Sequence, residues 1–242
     1  MRPVLLPAAA CAALVTLSAG AARADLISAT AGAKGFAGGN LWTTPDNIPG
    51  GYSGVGFAGD GGGVGFGGGV YVEGRVLTFL GAEVGLTYDS SVLQRDVTIS
   101  GGPTKVTEKV TTSSWRVPLL VKGILPVPFG RLSLGLGPEF VFAGSSDPSL
   151  SVTSGPATGT TSSLLQANTS NSTMLTGDLG LTLELPFSLE LPVDLRASKN
   201  LSQESDWTKR VDLPTSVTSP YTVNAQNSWD FRLSVGLGYR FY

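Results

Sequence analysis

The sequence predicts an all-β fold, an eight-stranded antiparallel up-and-down transmembrane β-barrel, and three observations carry the prediction. The first is the final stretch. Trp229, Phe231, Leu233, Val235, Leu237, Tyr239 and Phe241 fall on one face, and Asp230, Arg232, Ser234, Gly236, Gly238 and Arg240 on the other. Side chains of a strand alternate between faces, so this is a strand with one apolar and one polar side, long enough to cross a bilayer while tilted. The second is that the same alternation returns in seven earlier segments. The third is that the connections between segments are short and long in strict turn, as in barrels with short periplasmic turns and long outer loops.

Composition sets the frame. The chain has 242 residues and only 14% charged residues, against the roughly 25% usual for soluble domains. A formal net charge of −2 excludes a nucleic-acid binder that relies on a basic footprint. Residues 1–24 read as a secretory signal: Arg2, an apolar run from Val4 to Ala19, then Ala22, Arg23 and Ala24 as a small-x-small cleavage site before Asp25. The single Cys, Cys11, lies inside that run, so the expected mature domain, residues 25–242, has no thiol chemistry. Arg2 and Arg23 would leave with the signal, taking the formal charge from −2 to −4.

In order, the first segment runs from Leu26 to about Gly35, with Ile27, Ala29, Ala31 and Ala33 against Ser28, Thr30, Gly32 and Lys34. A loop rich in Gly, Pro and Asn follows. Val64 to Leu77 sets Val64, Phe66, Val70 and Val72 against Gly65, Gly67, Gly69, Tyr71, Glu73 and Arg75. After a short break, Leu80, Ala82, Val84, Leu86 and Tyr88 oppose Gly81, Glu83, Gly85, Thr87 and Asp89. Alternation continues through Val97 and Ile99 to Gly101, Gly102 and Pro103 and resumes from Lys105, which predicts a hairpin reaching past the membrane into solvent.

Trp115, Val117, Leu119 and Val121 then face away from Arg116, Pro118, Leu120 and Lys122. A tight break at Leu125–Gly130 leads to Leu132, Leu134, Leu136, Phe140 and Phe142, opposed by Arg131, Ser133, Gly135, Gly137 and Glu139. Residues 144–172 read as a Ser/Thr-rich loop. Leu175, Leu179, Leu181, Leu183 and Leu185 oppose Thr176, Asp178, Gly180, Thr182 and Glu184. Beyond a turn at Pro186, Leu189, Leu191, Val193 and Leu195 oppose Glu190, Pro192, Asp194 and Arg196. A last long loop, about 199–227, precedes the final strand. Prolines 118, 138 and 192 lack the donor a ladder needs and are expected at bulges or strand ends. The aromatics collect in two sets: Tyr88, Trp115, Phe140, Phe142 and Trp229 beside the long loops, and Phe129, Phe187, Tyr239, Phe241 and Tyr242 at the opposite ends. Two girdles are the expected arrangement at the two membrane interfaces.

The polar faces pool into a predicted lumen network. Its basic members are Lys34, Arg75, Arg116, Lys122, Arg131, Arg196, Arg232 and Arg240. Its acidic members are Glu73, Glu83, Glu139, Asp178, Glu184, Glu190, Asp194 and Asp230. An eight-stranded barrel is just wide enough for side chains to fill it, and charges inside must be paired. Two readings stand at this point: a salt-bridged plug, or a narrow wetted path for small ions. The inward glycines fit either, as relief from crowding or as room for water.

The chain resembles the small outer-membrane β-barrel superfamily that contains the OmpA transmembrane domain, OmpX and opacity-type surface proteins. The resemblance spans residues 25–242 and rests on the pattern, on Leu233–Tyr242 and on Trp115–Lys122. It implies location in an outer membrane, contact with its lipid and lipopolysaccharide, and delivery by a barrel-assembly machinery that reads a terminal aromatic. Phe241 is in phase with the outward face, Tyr239 precedes it in that face, and Tyr242 is one residue extra. No peptidoglycan-binding domain follows the barrel, so no cell-wall tether is expected. Enzymes of related architecture use a catalytic His, and this chain has none. Acid–base work at neutral pH most often uses that side chain, so an enzyme is not expected, nor a cofactor or metal.

Smaller signals carry little. Gly63, Gly65 and Gly68 fit a dinucleotide-binding spacing, but they run into a strand and open no helix. Asn168, Asn171 and Asn200 match a glycosylation pattern that arises readily in Ser/Thr-rich loops. Recognition usually sits on loops, and Trp42 and Tyr52 in the first long loop, with Trp207 and Tyr221 in the last, are the candidate exposed anchors. The other reading of these four is that they lie against lipopolysaccharide or fold over the barrel mouth. A soluble lipocalin-like carrier would need its apolar faces inside. The expected role is therefore structural or surface-interactive, with a small, weakly selective pore as the alternative.

Overall fold

A computed structural model describes residues 27–42, 61–98, 105–154, 159–161, 165–168, 170–202, 221–224 and 227–241. Every regular element among them is a strand, and none is a helix that could cross a membrane. Eight long strands build the wall: β1 (Ile27–Trp42), β2 (Gly61–Val76), β3 (Leu80–Thr98), β4 (Lys105–Val127), β5 (Gly130–Ser154), β8 (Ser172–Glu184), β9 (Leu189–Asn200) and β11 (Trp229–Phe241). Three short ones lie in the intervening chain: β6 (Gly159–Thr161), β7 (Leu165–Asn168) and β10 (Tyr221–Asn224). Each long strand pairs antiparallel with its sequence neighbours in the wall. β1 pairs with β11 from Ala29↔Phe241 to Leu41↔Trp229, so the sheet closes on itself.

The alternation read in the sequence sets the register. In β11 the burial pattern alternates over most of its length, with Asp230, Arg232 and Ser234 inside and Leu233, Val235 and Leu237 outside. The outward face is apolar all round the wall; Val64, Phe66, Leu134, Leu136, Leu179 and Leu195 are each more than half exposed. A closed wall with polar groups turned inward and an apolar exterior is what a bilayer demands, because no backbone edge meets lipid. Rings pack at the long-loop end of the wall: Tyr88 of β3 meets Trp115 of β4 edge-on at 5.2 Å, and Trp229 stacks along β11 on Phe231 at 6.0 Å.

The structure revises three expectations of detail. β1 continues seven residues past Gly35, to Trp42, because Phe36, Gly38 and Asn40 keep the inward phase through a run of small residues. The segment 144–172 is not simply a loop. β5 runs on to Ser154 beside the β3–β4 hairpin, β6 adds to its far side, and β7 pairs in parallel with β10. The prolines sit in mid-strand, not at bulges. The ladder lacks rungs opposite Pro118 between Val84 and Thr87, and opposite Pro192 between Val193 and Glu190, yet the register is the same on both sides of each gap. The missing donor costs local rungs and does not shift the strand. The register of β4 against β5 shifts elsewhere, between Lys105 and Val106 and again at a bulge between Thr112 and Ser114, just above Trp115. Beyond that level β4 and β5 carry on for about 30 Å at the usual rise per residue, so a sheet stands above one side of the barrel.

Candidate functional site: a charged lumen below an outer sheet

The inward side chains meet in three tiers, stacked along the barrel axis. The lowest is centred on Glu190 of β9. Arg131 of β5 holds it with two parallel bonds, 2.7 Å to Oε1 and 2.6 Å to Oε2, and Arg75 of β2 donates twice to Oε1 at 3.2 Å. Thr30 of β1 donates to the same carboxylate at 2.8 Å and accepts from Arg75 at 2.9 Å. Glu73 adds a second carboxylate to Arg131 at 3.3 Å. At the rim below, Arg240 pairs with Glu184 at 2.9 Å, and these two are the most exposed members of the network.

The middle tier is centred on Glu83 of β3, which receives Lys122 at 2.6 Å, Lys34 at 2.9 Å and Arg196 at 2.5 Å. Lys34 also reaches Asp194 at 2.6 Å, and Arg196 reaches Asp178 at 2.9 Å. Lys122 bridges down to Glu73 at 3.2 Å, tying this tier to the lowest. In the upper tier Arg116 of β4 meets Asp89 at 2.8 Å, Asp230 at 2.9 Å and Glu139 at 3.2 Å. Arg232 forks onto Asp230 with two bonds of 2.8 Å and reaches Asp89 at 3.1 Å. Thr176 and Ser198 complete Glu139 at 2.9 and 3.3 Å. Charges taken out of water are tolerable when paired and hydrogen-bonded in this way, and costly otherwise.

All sixteen residues of the predicted network face this lumen or its rim. Asp89 stands outside the sixteen although it is in phase with Glu83 on β3; its side chain is 2% exposed and joins both upper arginines. The neutral partners Thr30, Thr176 and Ser198 were missed as well, since a hydroxyl on a polar face gives no signal of which carboxylate it will cap. Two aromatics also turn inward: Lys34 Nζ lies 4.2 Å from the centre of the Tyr71 ring, and Arg232 lies 4.6 Å from that of Phe36.

These side chains crowd three of the inward glycines. A Cβ on Gly32 would stand 2.8 Å from the Tyr71 ring, and one on Gly67 would stand 2.6 Å from that of Phe36. One on Gly236 would stand 2.7 Å from the Lys34 stem. In each case the carbonyl oxygen of the neighbouring strand, of Leu237, Tyr88 and Ala33 respectively, stands closer still. These inward glycines are set by close backbone approach as well as by neighbouring side chains, and not by room for water.

The loop-anchor expectation needs correction at Trp42. It ends β1 on the inward face and is 1% exposed, so it is not a surface anchor. Leu93, Val110 and Met174 are buried apolar side chains as well, and the Met174 sulfur lies 3.5 Å from Arg116 Nη1 in the upper tier. The reason is phase: Trp42 falls two residues after Asn40 on the lumen side. Tyr221 opens β10 by its backbone, while Tyr52, Trp207 and Tyr242 lie outside the described residues. Tyr239 and Phe241 are outward, half exposed and edge-on at 5.1 Å.

A recess of about 40 Å³ opens beside the bulge, where Ser91, Thr112, Ser114, Ser172 and Asn227 surround the flank of Arg116. The buried Arg116 Nε has no hydrogen-bond partner among the described residues, and a space of this size takes a few waters. Among the described residues no group of His, Cys, Asp and Glu is arranged to hold a metal.

No family model matches the chain, and no curated protein matches it. Solved structures do. Ail, the attachment invasion locus protein of Yersinia pestis, solved in complex with the heparin analogue sucrose octasulfate, is 10% identical over 88% of this chain and 99% of that one, with a TM-score of 0.31. Neisserial surface protein A is 11% identical over 89% of this chain and 97% of that one, with a TM-score of 0.33. The outer membrane protein AlkL, solved in DMPC bilayers, is 14% identical over 93% of each chain, with a TM-score of 0.41.

Proposed function

We propose that this chain is an outer-membrane barrel, exported by a signal cleaved between Ala24 and Asp25, whose lumen is a rigid plug and whose outer sheet and loops carry the function. The observation that supports it most is the series of three ion-paired tiers, each drawing side chains from several strands across the bore. A cross-linked interior holds the wall to one shape and leaves surface recognition as its use. The candidate surface is the sheet of β3, β4, β5 and β6, with exposed Asp96 and Lys109, and the loops that carry Tyr52, Trp207 and Tyr221. Around the wall the partners are lipid and lipopolysaccharide. During delivery the partner is the assembly machinery, which would read Tyr239, Phe241 and Tyr242. No cofactor enters this reading, and the chain acts without catalysis.

The test is single-channel recording of the refolded barrel in a planar bilayer, with insertion verified by a gel mobility that changes on boiling. A silent membrane is the expected outcome. Reproducible small conductance steps would overturn the plug and put the narrow, weakly selective pore in its place, with the recess at Arg116 as its outer entrance.

A further inference from the structure

The two ends of the barrel differ in chemistry. The outer end rises into a hairpin with exposed Asp96 and Lys109. The other end is formed by three tight turns, and none of the residues 76–80, 125–130 or 185–189 is charged. Instead they expose Leu77, Phe79, Leu125, Phe129, Leu185 and Phe187, the last at 89%. The charges nearest these turns point away from them. Arg75, Arg131 and Glu190 are buried in the lowest tier, and among the described residues the exposed carboxylate at the rim, on Glu184, is paired with Arg240.

Backbone geometry adds an independent sign. Leu77 and Thr78 have φ of 57°, and Phe187 and Ser188 have φ of 64° and 59°. Such positions favour Asn and Gly, which adopt positive φ with little strain. Two of the turns keep bulky apolar side chains there despite the strain.

Length points the same way. From Trp115 to Leu125 the β4 wall covers about 26 Å of height, taking the usual rise and tilt, which is about the whole apolar band of such barrels. Phe129 lies one turn further. Phe79, Phe129 and Phe187 therefore carry the aromatic girdle of this end, which Tyr239 and Phe241 hold on β11, onto the turns themselves.

We propose that the three short turns are an interfacial lipid-binding surface, seated in the headgroup–acyl boundary of the inner-facing leaflet and not in the periplasmic water. The occupant is phospholipid, because the turn surface is continuous with the lipid-facing wall and offers no charge to a polar partner. This inference rests on the barrel spanning a membrane, and the test separates the two.

Spin labels are placed at Phe79→Cys, Phe129→Cys and Phe187→Cys in a Cys11→Ser background, refolded into phosphatidylcholine vesicles. Collision with oxygen, which partitions into lipid, is compared with collision with a water-soluble nickel chelate. Leu134→Cys marks the middle of the wall and Asp96→Cys the aqueous hairpin. Turn labels should collide preferentially with oxygen, with a depth between those of the two markers. Chelate access equal to that of the Asp96 label overturns the proposal, as does protection from both probes, which would mean that protein covers the turns. An aqueous label at Leu134 overturns the membrane reading and this inference together. If a Phe variant fails to fold, labels at Thr78→Cys and Ser188→Cys read the same two turns.

Discussion

At the scale of single residues the lumen network is uneven, and the unevenness decides what each substitution does. Glu190 accepts from Arg75, Arg131 and Thr30, so Glu190→Gln leaves two buried guanidiniums short of charge. Breaking a buried pair from one side costs about 3–5 kcal/mol, and a loss of that size is expected in urea unfolding from vesicles. The upper tier differs. There, among the described residues, the cations paired with Asp89, Glu139 and Asp230 are Arg116 and Arg232, an excess of one carboxylate. Asp89→Asn removes that excess while its amide oxygen can still accept from the arginines, so it should cost about 1 kcal/mol or less. Equal losses for the two variants would mean that the tiers do not carry charge as separate units.

At the scale of elements the strained turns offer the sharpest handle. Thr78 is β-branched, exposed and held at φ 57°, where its Cβ crowds the backbone. Thr78→Gly should stabilise the folded barrel by about 1 kcal/mol, read as a higher urea midpoint with an unchanged slope. No gain would mean that the turn relaxes out of the left-handed region. Strands themselves were the most legible part of the chain, since a period of two with a charged face leaves one register. Legibility failed where the phase was carried by small residues. Ala29 to Gly39 gives the outward face of β1 no bulk, so its continuation to Trp42 was invisible and Trp42 was placed outside. The rise of β5 to Ser154 was hidden by its Ser and Thr, which suit a loop and an exposed strand equally. The lumen charges could be read from phase alone, but their partners could not. Which carboxylate meets which arginine depends on stagger around the barrel, and Lys34 and Asp194 meet from strands 160 residues apart.

At the scale of the whole molecule the three tiers stand in series, and that makes closure cooperative in a testable way. The upper tier joins β3, β4, β5, β8, β9 and β11; the middle joins β1, β3, β4, β8 and β9; the lowest joins β1, β2, β5 and β9. Current through a series path is set by its tightest segment, so opening one tier leaves the other two in place. Arg116→Ala, which removes the centre of the upper tier and enlarges the recess beside it, should leave the barrel silent in a planar bilayer. Glu83→Ala alone and Glu190→Ala alone should do the same, each at a cost in stability. The triple variant removes the centre of every tier and frees a connected polar path through a wall that lipid and backbone pairing still hold closed. It should conduct in small steps. Conductance from Arg116→Ala by itself would show that the lower two tiers are already wet, and the barrel would then be a pore with a single outer gate.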